Sequence, residues 1–394
     1  MVGGDIARYR PRAVSEPIYL DHNATTPLLP EVVDAMVPYL REHFGNPSSA
    51  HVYGQRARAA VEGARAQVAA LLGARAQEVL FVAHGTEANN LAIRGVLAAL
   101  PDKRHVVSSV IEHPATTEPC RELERQGGRV TWLPVDAQGQ VRPAEAVAAL
   151  REDTALVTLM HANNETGVLQ PIAEIAHEAR SRGIRVHTDA SQSVGKLPVS
   201  VDALGVDLLT VVGHKFGAPK GVGALYVRQG TPLRPVLLGA GHERGLRPGT
   251  ENVASLVGLG VACEVARHTL EAEATRVRAL RDELWELLRA RVPGLALHGH
   301  PEQRLPNTLN VRFPGVRGSA LLEATPEVAA STGSACHAGE ESASSILTAM
   351  GVESLQALGA VRLSLGRTTT SEDVRRAARA LVASWERLGA GTRG

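Results

Sequence analysis

Between Val79 and Val227, short apolar runs alternate with stretches of helical periodicity: VLFV at 79–82, HVVSSV at 105–110, ALVTLM at 155–160, IRVHTD at 184–189 and VDLLTVV at 206–212. That rhythm predicts an α/β fold with a mainly parallel sheet covered by helices. After Pro171, residues Ile172, Ile175, Ala176 and Ala179 share one helical face that stops near Gly183, the pattern of a crossover helix. Each run ends in a polar turn: His84-Gly85-Thr86-Glu87, Glu112-His113, Asn163-Asn164-Glu165, Asp189-Ala190-Ser191-Gln192 and Gly213-His214-Lys215. In an open α/β sheet ligands bind outside the carboxyl ends of the strands, so these five turns are expected to face one crevice. Past residue 260 the pattern changes to a charged, helix-prone stretch to Val292, two short strands (308–313 and 361–365) and a final amphipathic helix. That last helix is expected to begin at a capping box of Thr369 with Glu372 and to bury Val374, Ala378, Leu381, Val382 and Trp385.

The chain has 394 residues with 42 Lys plus Arg against 41 Asp plus Glu, a net charge of +1 that gives no reason to expect nucleic acid or anionic membrane as partner. The longest run free of charge and strong polarity, Val253 to Cys263, is far below the ~20 residues of a membrane helix. The first residues carry no apolar signal segment, and the three cysteines, Cys120, Cys263 and Cys336, form no CxxC pair. A reduced, cytoplasmic enzyme with unpaired thiols is the expectation.

Only four residues are Lys: Lys103, Lys196, Lys215 and Lys220. Arg cannot form a Schiff base, so amine chemistry must use one of them. Lys215 follows an apolar strand and His214, where desolvation beside a cation makes an amine nucleophilic, although an isolated Lys is ordinarily a solvated charge. The other three are expected on turns or on the far side of the strand pair. Asp189 closes the strand before it and suits a carboxylate that keeps a cofactor pyridine nitrogen protonated, or else a helix N-cap. Gly85 and Thr86 open a helix whose free N–H groups fit a phosphate, though Thr is also an ordinary cap. Cys336 sits in the small, polar segment STGSACHAGEESASS, the setting of a travelling nucleophile, whereas Cys263 reads as core and Cys120 as structural. His298-Gly299-His300 and Cys336-His337 have no further ligands at zinc spacing, so no metal is expected.

The segments YLDHNATTP (19–27), GNPSSAH (45–51), GTEANN (85–90), EHPA (112–115), NNETG (163–167), HTDASQSVGK (187–196), GHKFGAPKGVGALYVR (213–228), RPGTEN (247–252), LPNTLN (305–310), STGSACHAG (331–339) and VRLSLGRTT (361–369) run in order along the chain. Together they resemble the cysteine desulfurases, fold-type-I pyridoxal-phosphate enzymes of the class-V aminotransferase group. The wording TVVGHKF and His337 is similar to the selenocysteine-lyase branch; Pro114, where those enzymes typically carry an acidic residue, is not.

The resemblance implies a seven-stranded-type sheet, with a large cofactor domain over residues 15–260 and a small α+β domain from 1–14 and 261–394 that carries the cysteine loop. It implies pyridoxal 5'-phosphate as cofactor, bound to Lys215 as a Schiff base, with Asp189 on the pyridine nitrogen and His113 stacked on the ring. Gln192 and Asn164 would surround the 3-hydroxyl; Gly85, Thr86 and His214 would hold the phosphate, with Thr250 reaching in from the partner of a homodimer. Arg362 would bind the substrate carboxylate beside Asn164, and Cys336 would take sulfur from L-cysteine for an iron–sulfur scaffold or another acceptor protein. Val212 stands where many relatives have a phosphate-binding Ser. The rival readings are a selenocysteine lyase and an aminotransferase of the same fold.

Overall fold

The computed structural model describes residues 16–332, 336–337 and 340–391, and side chains over 16–332 and 342–389. After β1 (Ile18–Tyr19) come β2 (Val79–Val82), β3 (His105–Ser109), β4 (Arg129–Leu133), β5 (Thr154–Met160), β6 (Arg185–Asp189), β7 (Leu208–Val212) and β8 (Gly223–Val227). The last seven form one sheet in the order β2-β8-β7-β6-β5-β3-β4. Only β8 runs antiparallel to its neighbours.

The strands read as unbroken apolar runs because both faces of the sheet are covered. In β2, Val79 and Phe81 enter a core shared with the Val52–Leu72 and Ile172–Ser181 helices, while Leu80 and Val82 pack with the Gly85–Ala99 helix on the opposite side. Sequence reading missed β4: this edge strand is exposed at Arg129 and partly exposed over the next three residues, so its apolar signal is weak.

In the C-terminal half β9 (Ala296–Leu297), β10 (Thr308–Arg312) and β14 (Ala360–Ser364) make an antiparallel sheet. Between them, β11 (Val328–Ala329) pairs in parallel with β1, and β12 (Cys336–His337) pairs with β13 (Glu340–Glu341). Ile18 and Leu20 therefore lie in the C-terminal core with Leu309, Val311, Leu363 and Leu381. Residues 18–20 are built into the half that is made last.

One helix, Val253–Arg289, joins the two cores over 37 residues, about 55 Å at 1.5 Å per residue. Its first part (Leu256, Leu259, Cys263) is buried in the larger core and its last part (Leu280, Leu284, Leu288) in the smaller. The expected boundary at residue 260 falls inside this continuous helix. The helix is long and apolar enough to pass for a membrane span by length and composition, yet just over half of its apolar stretch is buried inside the protein.

The final helix, Ser371–Gly391, buries Val374, Ala378, Leu381 and Val382 as expected. Its cap is one residue later than expected. Thr370 Oγ1 accepts from Asp373 N at 3.1 Å and Asp373 Oδ2 accepts from Thr370 N at 3.0 Å. Thr369 is occupied elsewhere, accepting from Gly366 N at 2.9 Å in the preceding turn.

Candidate active site

All five polar turns converge on one cavity of about 360 Å³ whose wall includes Gly85, Thr86, His113, Asn164, Asp189, Gln192, His214, Lys215 and Arg362. Lys215 closes a short turn after β7 and donates from Nζ to the carbonyls of Asn23 and Ala24, both at 2.8 Å. Burial, and after it the Arg362 charge, lower its pKa to about 8 against the opposing pull of Asp189 and Asp21. An amine near neutrality is a usable nucleophile and base.

Asp189 ends β6 with Oδ2 accepting from Asn89 Nδ2 at 2.7 Å and Oδ1 accepting from Ser191 N at 2.9 Å and from the Ser191 hydroxyl. Asn89 is itself fixed: its Oδ1 accepts from Thr210 at 2.7 Å, and Thr210 in turn contacts His187 Nε2 at 3.0 Å. His187 Nδ1 meets Thr158 at 2.8 Å, and burial lowers the pKa of this imidazole to about 4, so the ring is neutral. This chain of buried polar groups settles the rotamer of Asp189.

His113 caps the Pro114–Arg125 helix, its Nδ1 accepting from Ala115 N at 3.0 Å, and its ring opens to the cavity. Burial lowers its pKa, which favours the neutral ring suited to stacking. His214 contacts Thr25 Oγ1 through Nδ1 at 3.1 Å, and burial, with Lys215 and Lys220 nearby, lowers its pKa to about 4. A Cβ on Gly85 would lie 2.7 Å from Val212 Cγ2, so only glycine lets the Gly85–Ala99 helix approach the end of β7 this closely.

Arg362, on β14, donates to Asp21 Oδ1 at 2.7 Å and to the Asn164 carbonyl at 3.1 Å, while its buried Nε has no partner among the described residues. Asn164 Oδ1 is likewise buried without one. Two cavity residues thus carry unspent hydrogen-bonding capacity, as expected where a polar ligand belongs.

Lys196 lies on a turn, one of the places expected for it, but that turn is beside the site. Its Nζ donates to Asn23 Oδ1 at 3.0 Å and Gln192 Oε1 at 2.8 Å, and burial beside Lys215 holds its pKa well below the usual value. It is absent from the cavity wall, whereas Lys215 is part of it. Thr250 is exposed and outside that wall, although Arg247 of the same loop is ion-paired to Glu87 in the first turn of the Gly85–Ala99 helix at 2.9 Å. The backbone of Cys336 lies in β12, and its side chain lies outside the described residues.

Sequence reasoning missed Asn23, Asp21 and Asn89. Asn23 is the node of the site: its carbonyl accepts from Lys215 and, at 3.0 Å, Gln192, and its side chain bonds Lys196, Asn307 and Thr308. The polar run DHNATTP in an otherwise apolar setting was the available signal.

Residues 18–377 match the family described as Aminotransferase class-V. The chain belongs to this family. Cysteine desulfurase 2 of Trichormus variabilis is 46% identical over 373 residues, 94% of each chain. Cysteine desulfurase IscS of Dictyoglomus turgidum is 47% identical over 360 residues, 91% of each. Among solved structures, a NifS-like protein superposes with a TM-score of 0.88 at 37% identity over 93% of this chain and 98% of its own. SspA in complex with cysteine gives 0.79 at 37% identity over 88% and 98%. The mainly parallel central sheet matches that of NifS-like structures, and the family depends on pyridoxal phosphate. The cavity suits that cofactor: an amine, a carboxylate, an imidazole open to the cavity and a glycine-lined helix start are there together.

Proposed function

We propose that this chain is a pyridoxal-phosphate-dependent cysteine desulfurase, converting L-cysteine to L-alanine and leaving the sulfur as a persulfide on Cys336. The observation that carries the reading is the meeting of Lys215, Asp189 and Arg362 on one cavity in a chain whose relatives are named for this activity. Bound there, the cofactor supplies an electron sink that makes the Cα proton of an amino acid labile.

The protein's own groups do the rest. Lys215 would anchor the cofactor and would take and return the substrate Cα proton at its Nζ. Asp189 would keep a proton on the ring nitrogen, and His113 would cover the ring. Gln192 and Asn164 would lie about the 3-hydroxyl. Gly85, Thr86 and His214 would hold the phosphate, with Thr250 of a second subunit. Arg362 exchanges Asp21 for the substrate carboxylate, which its orphaned Nε is ready to receive. The Cys336 thiolate forms an S–S bond to the substrate sulfur as the Cβ–S bond breaks, and the carbon product takes up a proton as alanine.

A homodimer completes the site in this reading. It is supported by exposed Phe44, Tyr53, Leu237 and Leu238, apolar surface that a monomer leaves in water. An iron–sulfur scaffold or thiolation protein is the proposed acceptor, and a reducing cytoplasm the proposed compartment. The buried, unpaired Cys120 and Cys263 agree with the latter. The division into a large cofactor domain and a small one carrying the cysteine loop is proposed with them, in keeping with the two cores.

The test is a side-by-side assay with L-cysteine and selenocysteine. Alanine and thiol-releasable sulfur should appear in equal amounts from cysteine. Amino-group transfer to a keto acid with sulfur retained would assign an aminotransferase, and turnover of selenocysteine alone a lyase.

A further inference from the structure

The wall of the cavity at the end of β7 is apolar where an anion is expected. Val212 is 4% exposed, lines the cavity and turns a methyl group toward Gly85. A hydroxyl is missing from the phosphate end, and the neighbouring position offers a replacement.

His84 stands immediately before the Gly85–Ala99 helix in extended backbone (φ −167°, ψ 168°) and lines the cavity in a row with Gly85 and Thr86. Its Nδ1 accepts from Glu87 N at 3.1 Å, and its carbonyl accepts from Ala88 N at 3.1 Å. A ring nitrogen that accepts from a backbone N–H carries no proton, so the neutral imidazole has its hydrogen on Nε2. No described residue engages that Nε2. The one carboxylate of this turn is turned away and neutralised: Glu87 accepts from Ala83 N at 2.6 Å and is ion-paired with Arg247 at 2.9 Å. An anion here meets a free Nε2–H, the Thr86 hydroxyl and the helix N-terminus, with no uncompensated negative charge beside it.

We infer that His84 is a cofactor-binding residue that donates Nε2–H to the phosphate, taking over the contact that Val212 cannot make. The inference rests on the cofactor reading above. It gives His84 two tasks at once: Nδ1 caps the helix and thereby fixes the tautomer that aims a donor from Nε2.

Cofactor dissociation constants of apoprotein variants test this, read by the absorbance of bound pyridoxal phosphate and, separately, of pyridoxal, which lacks the phosphate. His84→Ser keeps an oxygen to cap the helix but has no reach. It should retain thermal stability and pyridoxal affinity while losing roughly 10- to 100-fold in pyridoxal-phosphate affinity, the worth of one charge-assisted hydrogen bond. Val212→Ser should recover affinity by a larger factor in the His84→Ser background than in the wild type, because the two donors serve one anion. Unchanged phosphate affinity in His84→Ser, or an equal loss of both ligands, overturns the inference while leaving the proposed function standing. A wild type that binds neither ligand overturns the function itself and this inference with it.

Discussion

Lys215 and Lys196 differ in what their amines can reach. Both are tied to Asn23, but only Lys215 lines the cavity. Borohydride reduction followed by peptide mapping should therefore place the cofactor on Lys215, and Lys215→Ala should abolish its absorbance band and turnover; a label on Lys196 would overturn the assignment. Because burial lowers the Lys215 pKa to about 8, the amine is protonated and unreactive below that value. The rate at which apoprotein captures cofactor should thus rise with pH through a midpoint near 8 and level off above about 9, measured by stopped-flow absorbance. Arg362→Lys keeps the charge and loses the fork, and kcat/KM for cysteine is expected to fall roughly 10- to 100-fold through KM.

At the scale of single elements, the corrected cap makes a clean contrast. Asp373→Ala should cost about 1 kcal/mol in urea denaturation, whereas Glu372→Ala should stay within about 0.5 kcal/mol, since Asp373 and not Glu372 closes the box. The misplacement is instructive: two adjacent threonines and two adjacent acids satisfy the same sequence pattern, and only the preceding turn, which claims Thr369, decides between them. Strands β2, β3, β5, β6 and β7 were legible because burial on both faces writes apolar runs into the sequence, and the five polar turns were legible because they interrupt those runs. Asn23 and Asn89 were not. Their partners lie 192 and 100 residues away in the chain, at Lys215 and Asp189, and no local periodicity records a hydrogen bond of that span.

For the whole molecule, the predictions concern shared and separable steps. Cys336→Ser should bind cofactor and cysteine as the wild type does yet form no persulfide, detected by mass spectrometry of the intact protein; sulfur release at wild-type rate would move the nucleophile elsewhere. Thr250→Val should weaken cofactor retention more than Glu251→Gln if a second subunit completes the site, and sedimentation of a fully active monomer would remove that role from Thr250. The stitching of residues 18–20 into the C-terminal core has a consequence for biosynthesis. Strand β1 finds its partner only when Val328–Ala329 has been made, and Asn23 N is held by Ser364 at 2.9 Å. The larger sheet can form earlier on the ribosome, in keeping with the tendency of N-terminal units to fold first. Asn23, the acceptor that positions Lys215, arrives last. A nascent chain arrested near residue 330 should accordingly be compact but slow to fasten pyridoxal phosphate, so that loading of the cofactor marks the end of translation.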